Sequence, residues 1–135
     1  MFLEHVNMTV RDLDESVKFY EDLLGYRVRW RGTTSDGQRA AHVGDDQQYL
    51  AFFEAADGDA CKADYSKIGM NHVGIVVEDL EAMRRKLTAM WVNPHHFADY
   101  EPGRRLYFLD PSGLEVELVE YDGNPSALRA KAAGG

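Results

Sequence analysis

Two segments of the chain alternate apolar and polar residues in the same way. Residues 5–10 read His-Val-Asn-Met-Thr-Val and residues 72–77 read His-Val-Gly-Ile-Val-Val, so each predicts a strand that opens with a histidine and has one apolar face. Asp12 and Asp79 follow these segments in the position of a helix N-cap, and apolar residues then recur at helical spacing. The pattern predicts an internal repeat whose units begin with a strand and a helix.

Further alternation predicts the remaining strands of each unit. Gly25 ends the first helix, and strands are predicted at 26–31, 38–43 and 48–53. In the second unit, strands at 104–109 and 114–121 flank a tight turn. We therefore expect an α+β fold in a single domain, residues 1–123, with βαβββ modules at about 2–55 and 69–121, a linker at 56–68 without periodicity, and a tail at 124–135.

The last strands of the two predicted units can be aligned with each other. Residues 49–54 then lie over residues 115–120, which pairs the apolar positions of one strand with those of the other. In this register Ala51 corresponds to Glu117, and both point away from the predicted helices. One copy of the repeat therefore has a carboxylate where the other has none.

Composition excludes several classes of function. The chain has 135 residues, a formal net charge of −8 and no block of basic residues, which argues against nucleic acid as a partner. The N-terminus has no signal-peptide pattern, and no apolar segment is long enough to cross a bilayer. Its one cysteine, Cys61, excludes an internal disulfide framework and fits a reducing compartment, so we expect a cytoplasmic protein.

If the two units pack about a pseudo-twofold axis, the repeat brings together side chains that suit a metal ion. His5 and His72 begin equivalent strands and point away from the helices, and Glu117 lies on the equivalent face of the final strand. Two imidazoles and one carboxylate with open positions suit Fe(II), and also Mn, Zn or Ni. We predict that these three residues bind one divalent metal ion, with Glu115 replacing Glu117 if the register shifts by two residues.

Four segments carry a resemblance to a known family: residues 5–13, 17–25, 71–74 and 107–117. Together they resemble the vicinal oxygen chelate superfamily, which includes glyoxalase I, extradiol dioxygenases, and fosfomycin and bleomycin resistance proteins. The resemblance covers about residues 2–121. It implies two βαβββ modules that form a cupped, eight-stranded mixed sheet around a metal site. It also implies a homodimer and a small-molecule substrate with vicinal oxygens, although one fold can host many functions.

Departures from the family patterns leave several functions open. Glyoxalase I has a fourth protein ligand, which would fall on Ala51, whereas three ligands match the dioxygenases and the fosfomycin enzymes better. The dioxygenase signature has a histidine shortly before Tyr107, and His96 lies somewhat too far back. The open alternatives are a dioxygenase-like or glyoxalase/lyase-like enzyme, a fosfomycin-resistance-like transferase, a metal-free ligand-binding protein of the bleomycin-resistance type, and a regulatory protein with a relic site.

Other residues are candidates for catalysis or substrate binding, and each also has a structural interpretation. Tyr107 could donate a proton or a hydrogen bond, or be an ordinary strand aromatic. His96, like His95, could move protons, or be a loop histidine. Arg104 and Arg105 could hold a carboxylate, or be solvated charges. The residues predicted to line a small-molecule pocket are Asn7, Thr9, Tyr49 and Phe53.

Overall fold

The structure is a computed structural model that describes residues 1–123, so the predicted tail at 124–135 lies outside the described residues. The elements follow the order strand, helix, three strands, twice over. They are β1 (His5–Val10), α1 (Leu13–Leu24), β2 (Arg27–Thr33), β3 (Arg39–Gly44), β4 (Tyr49–Glu54), β5 (Val73–Val76), α2 (Leu80–Ala89), β6 (His96–Tyr100), β7 (Gly103–Leu109) and β8 (Glu115–Tyr121). The predicted α+β class and the two βαβββ modules are confirmed. The eight strands form two mixed sheets of four strands each.

The chain divides into two compact units. Among the described residues, the first comprises Met1–Cys61 and the turn Asp110–Gly113, and the second comprises Lys62–Leu109 and residues 114–123. The boundary falls inside the predicted linker, which contains no helix or strand. The turn belongs to the first unit because the Tyr20 hydroxyl donates a buried hydrogen bond of 2.8 Å to Asp110 Oδ2. The prediction of a single domain stays a prediction.

The first unit is a sheet in the order β1-β4-β3-β2, with β1 parallel to β4. Helix α1 begins where the Asp12 side chain accepts a hydrogen bond from the Glu15 backbone N–H. It ends at Gly25, whose φ of 69° is a left-handed conformation that glycine adopts without a steric penalty. The side chains that α1 packs onto the sheet are fully buried: Leu13, Val17, Tyr20 and Leu23.

The second unit has the same architecture, with a sheet in the order β5-β8-β7-β6 and β5 parallel to β8. Helix α2 begins after Asp79, which accepts a hydrogen bond from the Ala82 backbone N–H, and it buries Leu80 and Leu87. Strand β6 was not located from the sequence. The prediction of His96 in a loop is wrong, because His96 begins β6 and pairs with Tyr107 of β7.

Strand registers are equivalent in the two units. Asn7 of β1 pairs with Ala51 of β4, and Gly74 of β5 pairs with Glu117 of β8. The predicted equivalence of Ala51 and Glu117 is therefore confirmed. Because side chains alternate along a strand, these registers place each of the two residues on the sheet face opposite the helix of its own unit.

Within residues 1–123, neither helix has the length and the apolar composition that crossing a lipid bilayer requires.

Candidate functional site

A histidine and a carboxylate lie in contact on the open face of the second sheet. His72 directly precedes β5, and Glu117 lies opposite Gly74 on β8. Nε2 of His72 is 2.9 Å from Oε2 of Glu117. The glycine leaves the space beside the carboxylate open, since a Cβ at Gly74 would lie 3.7 Å from the same Oε2. Glu117 is only 7% exposed, so its charge requires a nearby positive partner.

Tyr65 holds the other ring nitrogen of His72. The Tyr65 hydroxyl lies 2.9 Å from His72 Nδ1 and donates a short hydrogen bond to Glu115 Oε1. The hydrogen bond to Glu115 raises the pKa of Tyr65 to about 12, so the phenol stays protonated at neutral pH. Because the phenol donates to Glu115, its oxygen accepts from the Nδ1–H of His72. This arrangement leaves Nε2 of His72 facing the Glu117 carboxylate.

At 2.9 Å, Nε2 and Oε2 are too close for two bare lone pairs, so either a proton or a cation lies between the imidazole and the carboxylate. A histidine that binds a metal usually donates its other ring N–H to a neighbouring acceptor, as His72 does to Tyr65. His72 and Glu117 therefore fit two positions in the coordination shell of a divalent ion.

Arg105 supplies positive charge to the same carboxylate. Its Nη1 lies 3.1 Å from Glu117 Oε1, and its guanidinium carbon lies 4.5 Å from the centre of the Tyr100 ring. The Arg105 side chain is only 14% exposed. Arg104, the neighbouring residue, lies on the opposite face of β7 and pairs with Glu120 at 2.9 Å. The structure therefore brings Arg105, but not Arg104, to the His72–Glu117 pair.

Tyr107 and two histidines complete this face of the second unit. The Tyr107 ring lies edge-on to the His72 ring, with centroids 5.3 Å apart, and the His96 ring is also 5.3 Å from Tyr107. Burial, followed by the negative charge of Glu117, raises the pKa of Tyr107 and keeps its hydroxyl a proton donor. His95 Nε2 lies 3.7 Å from Glu115 Oε2.

In the first unit, His5 occupies the position equivalent to His72. Its Nδ1 lies 2.9 Å from Glu4 Oε1, and its ring stacks on Tyr49 with centroids 4.8 Å apart. The Asn7 amide donates to the Ala51 carbonyl at 3.1 Å. The other predicted pocket residues of this face, Thr9 and Phe53, pair with each other in the β1–β4 register.

Of the three predicted metal ligands, the structure places two in contact with each other, His72 and Glu117. Within residues 1–123, no group of three or more histidine, cysteine, aspartate or glutamate side chains is arranged to hold a metal ion. His5 stays a predicted third ligand.

Tyr65 is a site residue that the sequence did not reveal. It lies in the linker, where no periodicity assigns a side chain to a face. Its contacts with His72 and Glu115 depend on how residues 62–71 fold back onto the sheet, and no local pattern encodes that path.

Comparisons with known proteins show where this architecture occurs. A sequence profile of the glyoxalase/bleomycin resistance protein/dioxygenase superfamily matches residues 2–118. The chain is 28% identical to the lactoylglutathione lyase of Haemophilus influenzae over 95% of this chain and 98% of that protein.

Solved structures have the same fold. A glyoxylase/bleomycin resistance protein/dioxygenase domain from Frankia sp. EAN1pec has a TM-score of 0.77 at 22% identity, and the match covers 96% of this chain and 98% of that one. The fosfomycin resistance protein FosX from Listeria monocytogenes, complexed with Mn(II) and sulfate, has a TM-score of 0.70 at 17% identity, with 93% and 94% covered.

Proposed function

The chain belongs to the glyoxalase/bleomycin resistance protein/dioxygenase superfamily, and on that premise we propose that it is a divalent-metal-dependent enzyme acting on a small molecule with two neighbouring oxygens. The observation that carries the proposal is the approach of His72 Nε2 to Glu117 Oε2, 2.9 Å apart, with Nδ1 held by Tyr65. The name of the Haemophilus relative, a lactoylglutathione lyase, supports an enzyme of this kind.

The proposed ligands are His72 and Glu117, with His5 as the predicted third. Two imidazoles and one carboxylate suit Fe(II), Mn, Zn or Ni, and leave positions open for substrate. A divalent ion in such a site polarises substrate oxygens and stabilises the negative charge that develops on them. Ala51, the counterpart of Glu117, has no ligand atom.

The surrounding residues would orient these ligands and move protons. Tyr65 and Glu115 fix the tautomer and the plane of the His72 ring, which is the role of residues that contact a metal ligand. Arg105 holds Glu117 in one orientation through its 3.1 Å contact. Tyr107 keeps its proton at neutral pH and can donate it, or a hydrogen bond, to a substrate oxygen. His96, beside Tyr107, would exchange that proton with solvent.

The reaction class divides between two possibilities. The Haemophilus relative favours glyoxalase- or lyase-like chemistry, whereas Ala51 and the proposed set of three ligands favour a dioxygenase-like or fosfomycin-resistance-like enzyme. A fosfomycin-resistance-like transferase has weaker support, because Arg104, one of the two basic residues near the site, pairs with Glu120. A cytoplasmic location and a homodimer are further parts of the proposal.

One observation favours a second function. Arg105 already compensates the charge of Glu117 at 3.1 Å, so the carboxylate has a partner without any metal. A metal-free protein that binds a drug or another small molecule, as in the bleomycin-resistance type, is compatible with that pairing.

Turnover assays with three substrates separate these functions. Two forms of the protein are compared: one stripped with a chelator, and one reloaded with Fe(II), Mn, Ni or Zn. Each form is assayed with the adduct of methylglyoxal and glutathione, with catechol in an oxygen electrode, and with fosfomycin plus a thiol. The proposal predicts that at least one metal restores one activity, and that E117A lacks it. If no reloaded form turns over any of the three while small molecules still bind, the enzymatic assignment is wrong and the binding function is favoured.

A further inference from the structure

Four rings form a continuous row across the first sheet, on the face opposite α1. We call these residues the ring row: Trp30, His42, Tyr49 and His5. The centroids of Trp30 and His42 are 4.9 Å apart, those of His42 and Tyr49 are 4.5 Å apart, and those of Tyr49 and His5 are 4.8 Å apart. The row crosses all four strands, from β2 through β3 and β4 to β1. Rings at these separations attract each other; His42, Tyr49 and His5 are stacked, and the Trp30 plane is tilted by 46° from that of His42.

The chain makes room for the ring at the end of the row. A Cβ on Gly32 would lie 2.3 Å from Trp30 Cζ2, so the indole lies flat across β2 only because residue 32 is glycine. Even so, Trp30 is 43% exposed, a large fraction for a tryptophan fixed by its neighbours. The indole therefore presents an open face to solvent.

A bulge adds a cation to the same face. In the β2–β3 pairing, Val28 lies opposite Val43 and Trp30 lies opposite His42, which leaves Arg29 as an extra residue in β2. In a regular strand Arg29 and Trp30 would point to opposite faces, but a bulge of this kind redirects side chains. The Arg29 guanidinium carbon consequently lies 4.6 Å from the centre of the Tyr49 ring, beside the row.

The charge of Arg29 is not neutralised by a salt bridge. Among residues 1–123 no carboxylate forms an ion pair with it, whereas its strand neighbour Arg31 pairs with Asp14 at 2.9 Å. Glu4 accepts a hydrogen bond from the Tyr49 hydroxyl and contacts His5, and its charge interacts with that of Arg29 without forming a salt bridge. Arg29 is thus an exposed guanidinium next to a stack of rings, available to an anion from solution.

We propose that the ring row and Arg29 form a binding site for a flat aromatic carboxylate, whose ring stacks on Trp30 while its carboxylate pairs with Arg29. Stacking on an exposed indole selects a planar π-system, and a planar guanidinium can hold a carboxylate through two parallel hydrogen bonds. The site lies wholly within the first unit. It shares His5, the predicted third metal ligand, and Tyr49, a predicted pocket residue, with the proposed function, and it rests on that function by naming the substrate class that the pocket would accept. Trp30 and Arg29, which would contact the ligand, are not proposed metal ligands.

Binding is measured with 2-naphthoate as the probe, by calorimetry and by the NMR signal of the Trp30 indole N–H. The chain has two tryptophans, so the W91F variant leaves Trp30 as the single indole signal. Cyclohexanecarboxylate keeps the charge of the probe without the ring, and 2-naphthamide keeps the ring without the charge. R31Q is the matched control for R29Q, because it removes an arginine from the same strand that already has a partner.

The proposal predicts that 2-naphthoate shifts the Trp30 indole signal and binds more tightly than either control compound. W30L should weaken binding about tenfold, and W30F, which keeps a ring, should weaken it less. R29Q should weaken it about fivefold, while R31Q and W91F leave it unchanged. The same affinity is expected in H72A, which separates this site from the proposed metal function.

Two results would overturn the proposal. One is equal binding of 2-naphthoate by the parent protein and by a W30L variant whose circular dichroism and melting temperature match it. The other is equal affinity for 2-naphthoate and 2-naphthamide, because the carboxylate would then contribute nothing.

Discussion

His72 Nε2 and Glu117 Oε2 lie 2.9 Å apart, where His72 directly precedes β5 and Glu117 of β8 pairs with Gly74. With Nδ1 held by Tyr65, this contact requires a proton or a metal ion between imidazole and carboxylate. The proposed chemistry of the second unit depends on which of the two is present in solution.

Removing the hydroxyl of Tyr65 should weaken metal binding without removing a ligand. Y65F leaves the Nδ1–H of His72 without its acceptor, and loss of such a partner typically costs about tenfold to a hundredfold in metal affinity. Competition of the protein with a chromogenic chelator measures that affinity. Y26F, a tyrosine of the first unit outside the predicted site, is the control. Equal affinities in Y65F and Y26F would show that Tyr65 does not orient a ligand.

Tyr107 should affect turnover rather than binding. If Tyr107 donates a proton or a hydrogen bond in the transition state, Y107F lowers kcat by about a hundredfold and leaves KM nearly unchanged. Steady-state kinetics on whichever substrate is turned over measures both constants. An unchanged kcat assigns Tyr107 to a structural role beside His72 and His96.

Glu120 should make the free energy of unfolding depend on pH in the acid range. The Leu80 backbone N–H, at 2.7 Å, and then Arg104 lower the pKa of Glu120 below its ordinary value of 4.5. A carboxyl with a lowered pKa stabilises the fold above its unfolded-state pKa, and that contribution is lost as the pH falls through the folded-state pKa. E120Q should therefore be less stable than the parent at pH 7, by about 1 kcal/mol, since hydrogen bonds to a charged group are lost.

The contribution of Glu120 to stability is tested by urea unfolding of the parent and E120Q at pH 7 and at successively lower pH. The difference in unfolding free energy should begin to shrink as the pH falls below the ordinary pKa of 4.5 and vanish below the lowered folded-state pKa, where the parent carboxyl is also protonated. E21Q, an exposed position on α1, should show no such difference. A difference between E120Q and the parent that is constant across this pH range would contradict the assignment.

Gly25 should resist substitution because of its backbone angle. A φ of 69° is sterically unfavourable for any residue with a Cβ, so G25A should lower the free energy of unfolding by about 1 kcal/mol. G25N should lose less, because asparagine tolerates the left-handed region better than alanine does. Equal losses in the two variants, measured by thermal unfolding, would mean that the helix end rearranges.

The features that the sequence predicted are local or follow from the repeat. The helix ends at Asp12 and Gly25 depend on the residues of one turn, and capping chemistry identifies them directly. The equivalence of Ala51 and Glu117 follows from aligning two copies of one unit, and the parallel registers confirm it. Patterns that repeat within one chain constrain register as well as element type.

The features that were missed depend on side chains far apart in sequence. Strand β6, residues 96–100, is short and mostly exposed, and it follows Pro94, so its alternation was too weak to identify. The ring row requires the register of four strands, and the position of Arg29 requires a bulge that no turn residue marks. Tyr65 reaches His72 from a linker without periodicity.

The most direct test of the account is the metal content of the purified protein, determined by inductively coupled plasma mass spectrometry after dialysis against each of Fe(II), Mn, Ni and Zn. The account predicts about one equivalent of one of these metals per chain in the parent and in H96A, and a large loss in H72A and E117A, because only the latter two remove a ligand. Retention of the same metal content by correctly folded H72A, or no stoichiometric metal in the parent under any condition, would contradict it.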